Sequence, residues 1–409
     1  MRICILTFGT RGDVQPYVAL GLGLKSAGHH VSIATLEEFE PLVMEYGLQF
    51  ERLRGDFLKA AQASPNGNPF KLIGQYVEMA RDTLADEWAC AQNTEVLIYN
   101  SAALGGFSIA EKLGIPAFAS FPAPMYTPTK EFPSPFLPFS NLGVFNKWSH
   151  KFFATLGPAI YRGVINNWRR STLGLPPAKG EERLNGKPVT TLYAYSSAVV
   201  PRPLDWDESA FVSGYWFLDR PPGWQPDPEL VDFIQAGSPP VYIGFGSMYM
   251  NGGAHKTELV VEALKQAGQR GILSTGWGGL AKTMNSEDIF IVDAVPHDWL
   301  FPQMAAVVHH GGAGTTAAAL RAGKPTIICP FVGDQPFWGR RVSALGVGPA
   351  PVSQFRLTAE RLAQAIRVAV TDPEMRRRSA ALGEIIRAED GVRNAVDFIN
   401  RRLSAAHSL

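Results

Sequence analysis

The stretch "VVHHGGAGTTAAALRAGKP" places two histidines and three glycines between an apolar run and an alanine-rich segment. Ala305 to Val308 reads as the end of a buried strand, and Thr315 to Ala322 as a helix of high propensity throughout. The join, His309 to Gly314, is rich in glycine, which accepts positive φ and close approach by another group. The first amides of the helix that follows have no intrahelical partner, and its dipole favours an anion there. A phosphate suits that place. Further on, the strand "PTIICP" runs into "FVGDQPFW". In a right-handed βαβ unit both loops leave the same sheet edge, which sets Asp334 and Gln335 near the glycine loop. A carboxylate beside a carboxamide matches a ring of hydroxyls. A phosphate cradle beside a polyol clamp describes a nucleotide sugar. Ser247, in "GFGSM" after another strand, suits either the same diphosphate or a turn or helix cap. In "GTRGDVQP", Asp13 stands where an aspartate could cap the next helix.

The elements that position these residues alternate. "RICILTF", "HVSIAT", "EVLIYN", "GIPAFAS" and "TLYAYSSAVV" read as strands of a first half, with helices between them. "PVYIGFG", "GILSTG", "DIFIVD", "AAVVHH" and "PTIICP" begin a second series. Strands alternating with helices predict parallel sheets covered on both faces. At 409 residues two domains are expected. Four prolines between Pro221 and Pro228 interrupt the pattern, so the division falls at 1–220 and 221–409, with the terminal helices free to cross back. The expected fold class is α/β, two doubly wound domains facing across a cleft, with ligands at the carboxyl ends of the strands. Phe121 to Phe153 breaks the alternation: it is rich in proline and aromatics, and reads as a self-packed surface loop or as the wall of an apolar pocket.

Composition narrows the function. The 38 Lys and Arg against 37 Asp and Glu leave no basic run suited to nucleic acid. Cys4, Cys90 and Cys329 are far apart, with neither metal spacing nor a disulfide framework, which favours a reducing compartment. "MRICILTF" is too short for a signal peptide and no apolar run reaches membrane-spanning length. A cytoplasmic, soluble enzyme is expected, with room for peripheral membrane contact.

"HHGGAGTTAAALRAGKPTIICPFVGDQPFWGRRV" closely resembles the donor-binding signature of glycosyltransferase family 1, inverting enzymes of GT-B fold. "GTRGDVQPYVALGLGL" is similar to the amino-terminal motif of the branch holding sterol glucosyltransferases and bacterial natural-product glycosyltransferases. The resemblance implies two Rossmann-like domains, an acceptor domain and then a donor domain, no metal and no cofactor beyond the co-substrate UDP-glucose. By position it assigns the diphosphate to His310, Gly312, Gly314 and Thr315, and the sugar hydroxyls to Asp334 and Gln335. His309 has no matched role and reads as structural. The resemblance makes Asp13 the general base, with Gly9 and Gly12 letting acceptor and diphosphate approach the backbone. Many plant members stack a tryptophan on uracil two residues before the proline of a W-x-P-Q motif. "AVPH" has Ala294 there, which leaves the Val295 backbone and Trp277 as base contacts, Trp277 being equally suited to buried packing. A thymidine-linked sugar therefore stays open beside a uridine one.

The expected reaction is metal-independent transfer of glucose to a hydroxyl of a lipophilic acceptor: a sterol, triterpenoid, flavonoid or polyketide. A nucleotide-sugar epimerase on the same fold and a non-catalytic sugar-nucleotide binder are the alternatives. "DWD" at Asp205 to Asp207 matches a D-x-D metal motif, but three letters recur by chance and no glycine loop adjoins them. The first loop reads G-x-x-G, with Glu37 at the end of strand two. It lacks the G-x-G-x-x-G order of a dinucleotide site.

Overall fold

The structure is a computed structural model that describes residues 1–55, 69–178, 182–245, 253–275 and 286–407. In the first half, strands β1 (Arg2–Leu6), β2 (His30–Leu36), β3 (Gln49–Leu53), β4 (Val96–Asn100) and β5 (Ala117–Phe121) precede a short antiparallel ribbon, β6 (Arg183–Leu184) with β7 (Lys187–Pro188). Strands β8 (Thr190–Tyr193) and β9 (Ala210–Val212) complete a seven-stranded sheet of order β3-β2-β1-β4-β5-β8-β9. All of its pairings are parallel. The second half contributes β10 (Val241–Gly244), β11 (Gly271–Ser274), β12 (Ile289–Val292), β13 (Ala306–His309) and β14 (Thr326–Ile328), ordered β12-β11-β10-β13-β14 and again parallel. Every residue of β4, β5 and β13 is buried, as continuous apolar strands covered on both faces must be. Two Rossmann-like parallel-sheet domains result, the architecture expected.

The order reverses between β1 and β4 in one sheet and between β10 and β13 in the other. At such a switch point the neighbouring connections leave in opposite directions and open a crevice at the strands' carboxyl ends. The first turn of the helix that follows β1 carries Asp13, and the loop after β13 carries His310.

The halves are tied together in several places. Arg321 pairs with Asp219 and lies over the Phe217 ring at 4.4 Å. Arg341 Nε donates to the Val199 carbonyl and Arg340 Nη2 to that of Leu137, at 2.5 and 2.9 Å. The apolar core of the first sheet continues into Ala317, Phe337 and Trp338 of the second half. The last helix, Gly391–His407, returns to the first sheet, where Phe398 stacks on Phe211 at 4.1 Å and Asn394 Nδ2 donates to the Ser213 carbonyl at 2.9 Å.

Three local features differ from the sequence reading. Strand β9 had no periodic signal, since three residues are too few to show one. "TLYAYSSAVV" leaves the sheet after Tyr193, where the Ser196 hydroxyl accepts from Ala198 N at 3.1 Å and donates to Glu389 at 2.6 Å. The aromatic segment is a loop only as far as Leu142; a short turn and the helix Asn146–Ala159 follow.

Candidate active site

Asp13 is not the cap of its helix. The helix Arg11–Ser26 is capped by Thr10, and Asp13 occupies the third helical position, from which its Oδ2 accepts from Thr10 N at 2.8 Å and Thr10 Oγ1 at 2.9 Å. This reciprocal capping box satisfies helix-end donors that would otherwise lack partners. It also fixes the carboxylate. Gly9 makes the room: its φ is 136°, and a Cβ there would lie 2.7 Å from Asp13 Cγ. Gly12 is exposed, with only Thr10 Oγ1 near a would-be Cβ. Burial pushes the Asp13 carboxyl above its ordinary range, against the pull of the Thr10 hydrogen bonds. Beneath the loop, buried Asn100 at the end of β4 donates to Thr7 Oγ1 at 3.1 Å and to the Phe8 carbonyl at 2.9 Å. The sequence reading missed this residue, which pins the loop before Asp13 to the switch point.

Across the gap, Gly312 caps the helix Ala313–Arg321 and packs under His310, whose Nε2 would lie 2.6 Å from any Cβ at residue 312. Gly314 is exposed in the first turn, with nothing within 4 Å of a Cβ placed on it. Thr315 beside it is half-buried, whereas Thr316 turns its hydroxyl back to the Gly312 carbonyl at 2.9 Å. His309 is fully buried, and its Nδ1 accepts from Gly311 N at 2.9 Å. That bond puts the proton on Nε2. His310 Nδ1 is buried and has no hydrogen-bond partner among the described residues. Burial lowers the His310 pKa to about 4, so the ring is neutral at physiological pH in the free protein.

Gly311 has φ 95°, and a Cβ there would lie 3.2 Å from the Gln335 carbonyl oxygen, so the two loops do meet at one sheet edge. Asp334 caps the helix Gln335–Ala344, and its Oδ2 accepts from Trp338 Nε1 at 2.8 Å. Burial pushes the Asp334 carboxyl up to about 6, the Trp338 bond opposes this, and the nearby charge of Asp13 adds to it. Gln335 is buried, and its Oε1 accepts from Phe331 N at 2.7 Å and Val332 N at 3.3 Å. Its oxygen therefore holds its own loop in shape. Trp338, fully buried, was legible only as an i, i+4 partner of Asp334.

Ala294 is exposed and Val295 half-buried against the core. His297, which the sequence reading passed over, stacks on Phe301 at 4.1 Å. Burial and then the charge of Arg11 lower its pKa to about 4, so the first-domain loop reaches this edge too. Ser247 and Trp277 lie outside the described residues. The D-W-D carboxylates serve turns: Asp205 accepts from Thr129 Oγ1 and Lys130 N, and Asp207 from Ser209 N and Oγ. Glu37 pairs with Arg52 at the surface.

A carboxylate on one sheet edge thus lies within electrostatic reach of a second carboxylate on another, and that second carboxylate stands beside a glycine loop, a helix terminus and a neutral histidine. Residues 3–133 match the glycosyltransferase family 28 N-terminal domain, and 281–393 the erythromycin biosynthesis protein CIII-like C-terminal domain. Sterol 3-beta-glucosyltransferase UGT80B1 of Arabidopsis thaliana is 39% identical over 98% of this chain and 68% of its own length. The chain belongs to the sterol 3-beta-glucosyltransferase family. The sterol 3-beta-glucosyltransferase of Cryptococcus neoformans is 38% identical over the whole chain, which spans 28% of that relative's length. That of Pichia angusta is 39% identical, with 34% of its length covered. Among solved structures, the glycosyltransferase of kitacinnamycin aligns with this family member over 98% of the chain and 99% of its own, at 21% identity and a TM-score of 0.76. CalG4, the calicheamicin glycosyltransferase, aligns over 98% of each chain, at 17% identity and a TM-score of 0.71. Both share the two-domain fold of this chain.

Proposed function

We propose that the protein transfers glucose from UDP-glucose to the 3-hydroxyl of a sterol, with inversion and without a metal. The observation that carries the reading is that Asp13, at the first sheet's carboxyl edge, lies within electrostatic reach of Asp334, beside the glycine loop of the second. The relatives' activity, sterol 3-beta-glucosylation, supplies the acceptor class. The amino-terminal domain would hold the acceptor and the carboxy-terminal domain the donor. Free, mostly buried thiols at Cys4, Cys90 and Cys329 fit action in the cytoplasm.

In this reading the acceptor oxygen attacks the anomeric carbon as the bond to the β-phosphate oxygen breaks. A single displacement inverts the configuration. Asp13 takes the acceptor proton late, because the transition state at the anomeric carbon is oxocarbenium-like. Desolvation makes its carboxylate a stronger base than an aspartate in water. The leaving UDP gains negative charge, and the open first turn at Gly314 and Thr315 offers backbone amides to it. His310 is neutral before the donor arrives, so it first meets the diphosphate through a hydrogen bond; the bound anion would then raise its pKa. Asp334 would hold sugar hydroxyls. Gln335 would add its amide, its oxygen being committed to residues 331 and 332. For the base, the Val295 backbone and Trp277 stay assigned, and a thymidine donor remains the second choice; one structural neighbour was solved with thymidine diphosphate.

The test is UDP release from UDP-glucose with a 3β-hydroxysterol dispersed in detergent, in EDTA, with the anomeric configuration read by NMR. Sterol-dependent release and a β-glucoside are expected. Release that no sterol accelerates would overturn the acceptor class, and loss of activity in EDTA restored by magnesium would overturn metal independence.

A further inference from the structure

From Phe132 to Gly180 the chain has six Lys and Arg and not one Asp or Glu, although the whole protein is nearly neutral. Within that span the helix Asn146–Ala159 is built inside out. Its polar residues Asn146, Ser149 and His150 face the protein: Asn146 Nδ2 donates to the Lys130 carbonyl at 2.8 Å, Ser149 Oγ accepts from Ser134 N at 2.8 Å, and His150 Nε2 donates to the Phe132 carbonyl at 3.1 Å. Trp148 and Phe152 on its other side face water. Val144 and Phe145, just before the helix, are 90% and 63% exposed, and Trp148 on it is 61% exposed. Trp148 stacks on Phe152 at 5.4 Å, and with Leu137, Leu142 and Phe153 these rings line an apolar groove of about 210 Å³.

Packed polar residues beneath and aromatics outside mean that the face was not left out of the core by chance. Contiguous apolar surface of this kind marks a place where water is displaced by a partner. We infer that this face docks on an anionic lipid bilayer. Tryptophan and phenylalanine settle at the headgroup boundary, and the exposed Lys151, Arg162 and Arg170 supply the charge that anionic headgroups attract. A second copy of the chain is a poorer match, because it would set these cations against their own kind. The segment is also bound to the helix Gln335–Ala344 through Arg340 and the Leu137 carbonyl, so a docked protein holds its cleft beside the membrane surface.

The experiment is co-sedimentation of the full chain with vesicles of phosphatidylcholine and phosphatidylserine in equal parts, and with phosphatidylcholine alone. The variants are Trp148→Ser with Phe152→Ser, and Lys151→Gln with Arg162→Gln. Binding to the mixed vesicles is expected, weakening about ten-fold or more in each variant, with melting temperatures unchanged because all four side chains are exposed. Wild-type protein left in the supernatant, or binding that neither variant weakens, overturns the inference. A wild-type dimer by light scattering that the aromatic variant dissociates also overturns it, by assigning the face to a second copy.

Discussion

The carboxyl groups of Asp13 and Asp334 belong to different sheets, yet the charge of the first helps raise the pKa of the second, which reaches about 6 chiefly through burial. Two acids brought together across a cleft resist ionising together. Donor sugar and acceptor hydroxyl would occupy the space between them, so each acid has a distinct part to test.

Asp13→Asn should lower turnover on the order of 10²–10⁴ at saturating UDP-glucose. Asparagine keeps an oxygen that can accept from Thr10, so the capping box survives and the melting temperature should stay close to that of the parent. Turnover within a few-fold of the parent would leave Asp13 as a helix device only.

Asp334→Ala should weaken UDP-glucose by roughly 1–3 kcal/mol and leave UDP unchanged. Calorimetry with both ligands separates the sugar from the nucleotide. In the parent protein the carboxylate form is lost as the pH falls through about 6, so UDP-glucose affinity should fall there while UDP affinity changes less. Trp338→Phe, which removes the 2.8 Å bond favouring the ionised form, should move that midpoint upward.

Gly314→Ala separates helix from ligand. Among the described residues nothing lies within 4 Å of the added methyl, and alanine favours a helix over glycine by roughly 0.5–1 kcal/mol. The variant should melt at or above the parent temperature and bind UDP more weakly, because the methyl occupies the approach to the helix terminus. Unchanged UDP affinity would place the diphosphate elsewhere.

Glu87 supplies a prediction on stability. Its carboxyl is buried, accepts from Gly105 N at 2.6 Å, and leaves Oε1 without a partner among the described residues; burial pushes its pKa up to about 8 from 4.5. The folded state therefore holds this proton more tightly than the unfolded state. The associated stability is complete below about 4.5 and is lost as pH rises through about 8. Glu87→Gln should raise the melting temperature relative to the parent in alkaline buffer and change it little in acid. A constant difference across that range would contradict the assignment.

The sequence by itself determined the parallel sheets, because alternating apolar strands and amphipathic helices leave few other ways to bury both. It also determined the phosphate-cradle motif, whose glycines and helix start act over a few consecutive residues. Gln335 shows where that legibility stops: its type suits sugar hydroxyls, but its oxygen is spent on amides four and three residues before it. The helix Asn146–Ala159 went unread because its apolar residues point outward, so its pattern does not report the core. Asn100 under the Asp13 loop, Trp338 beside Asp334, and the nearness of Asp13 to Asp334 were decided only by tertiary structure. Each joins groups whose partner is chosen by packing rather than by spacing along the chain, and the charge and burial that set a carboxyl's pKa exist only once two sheets have closed on it.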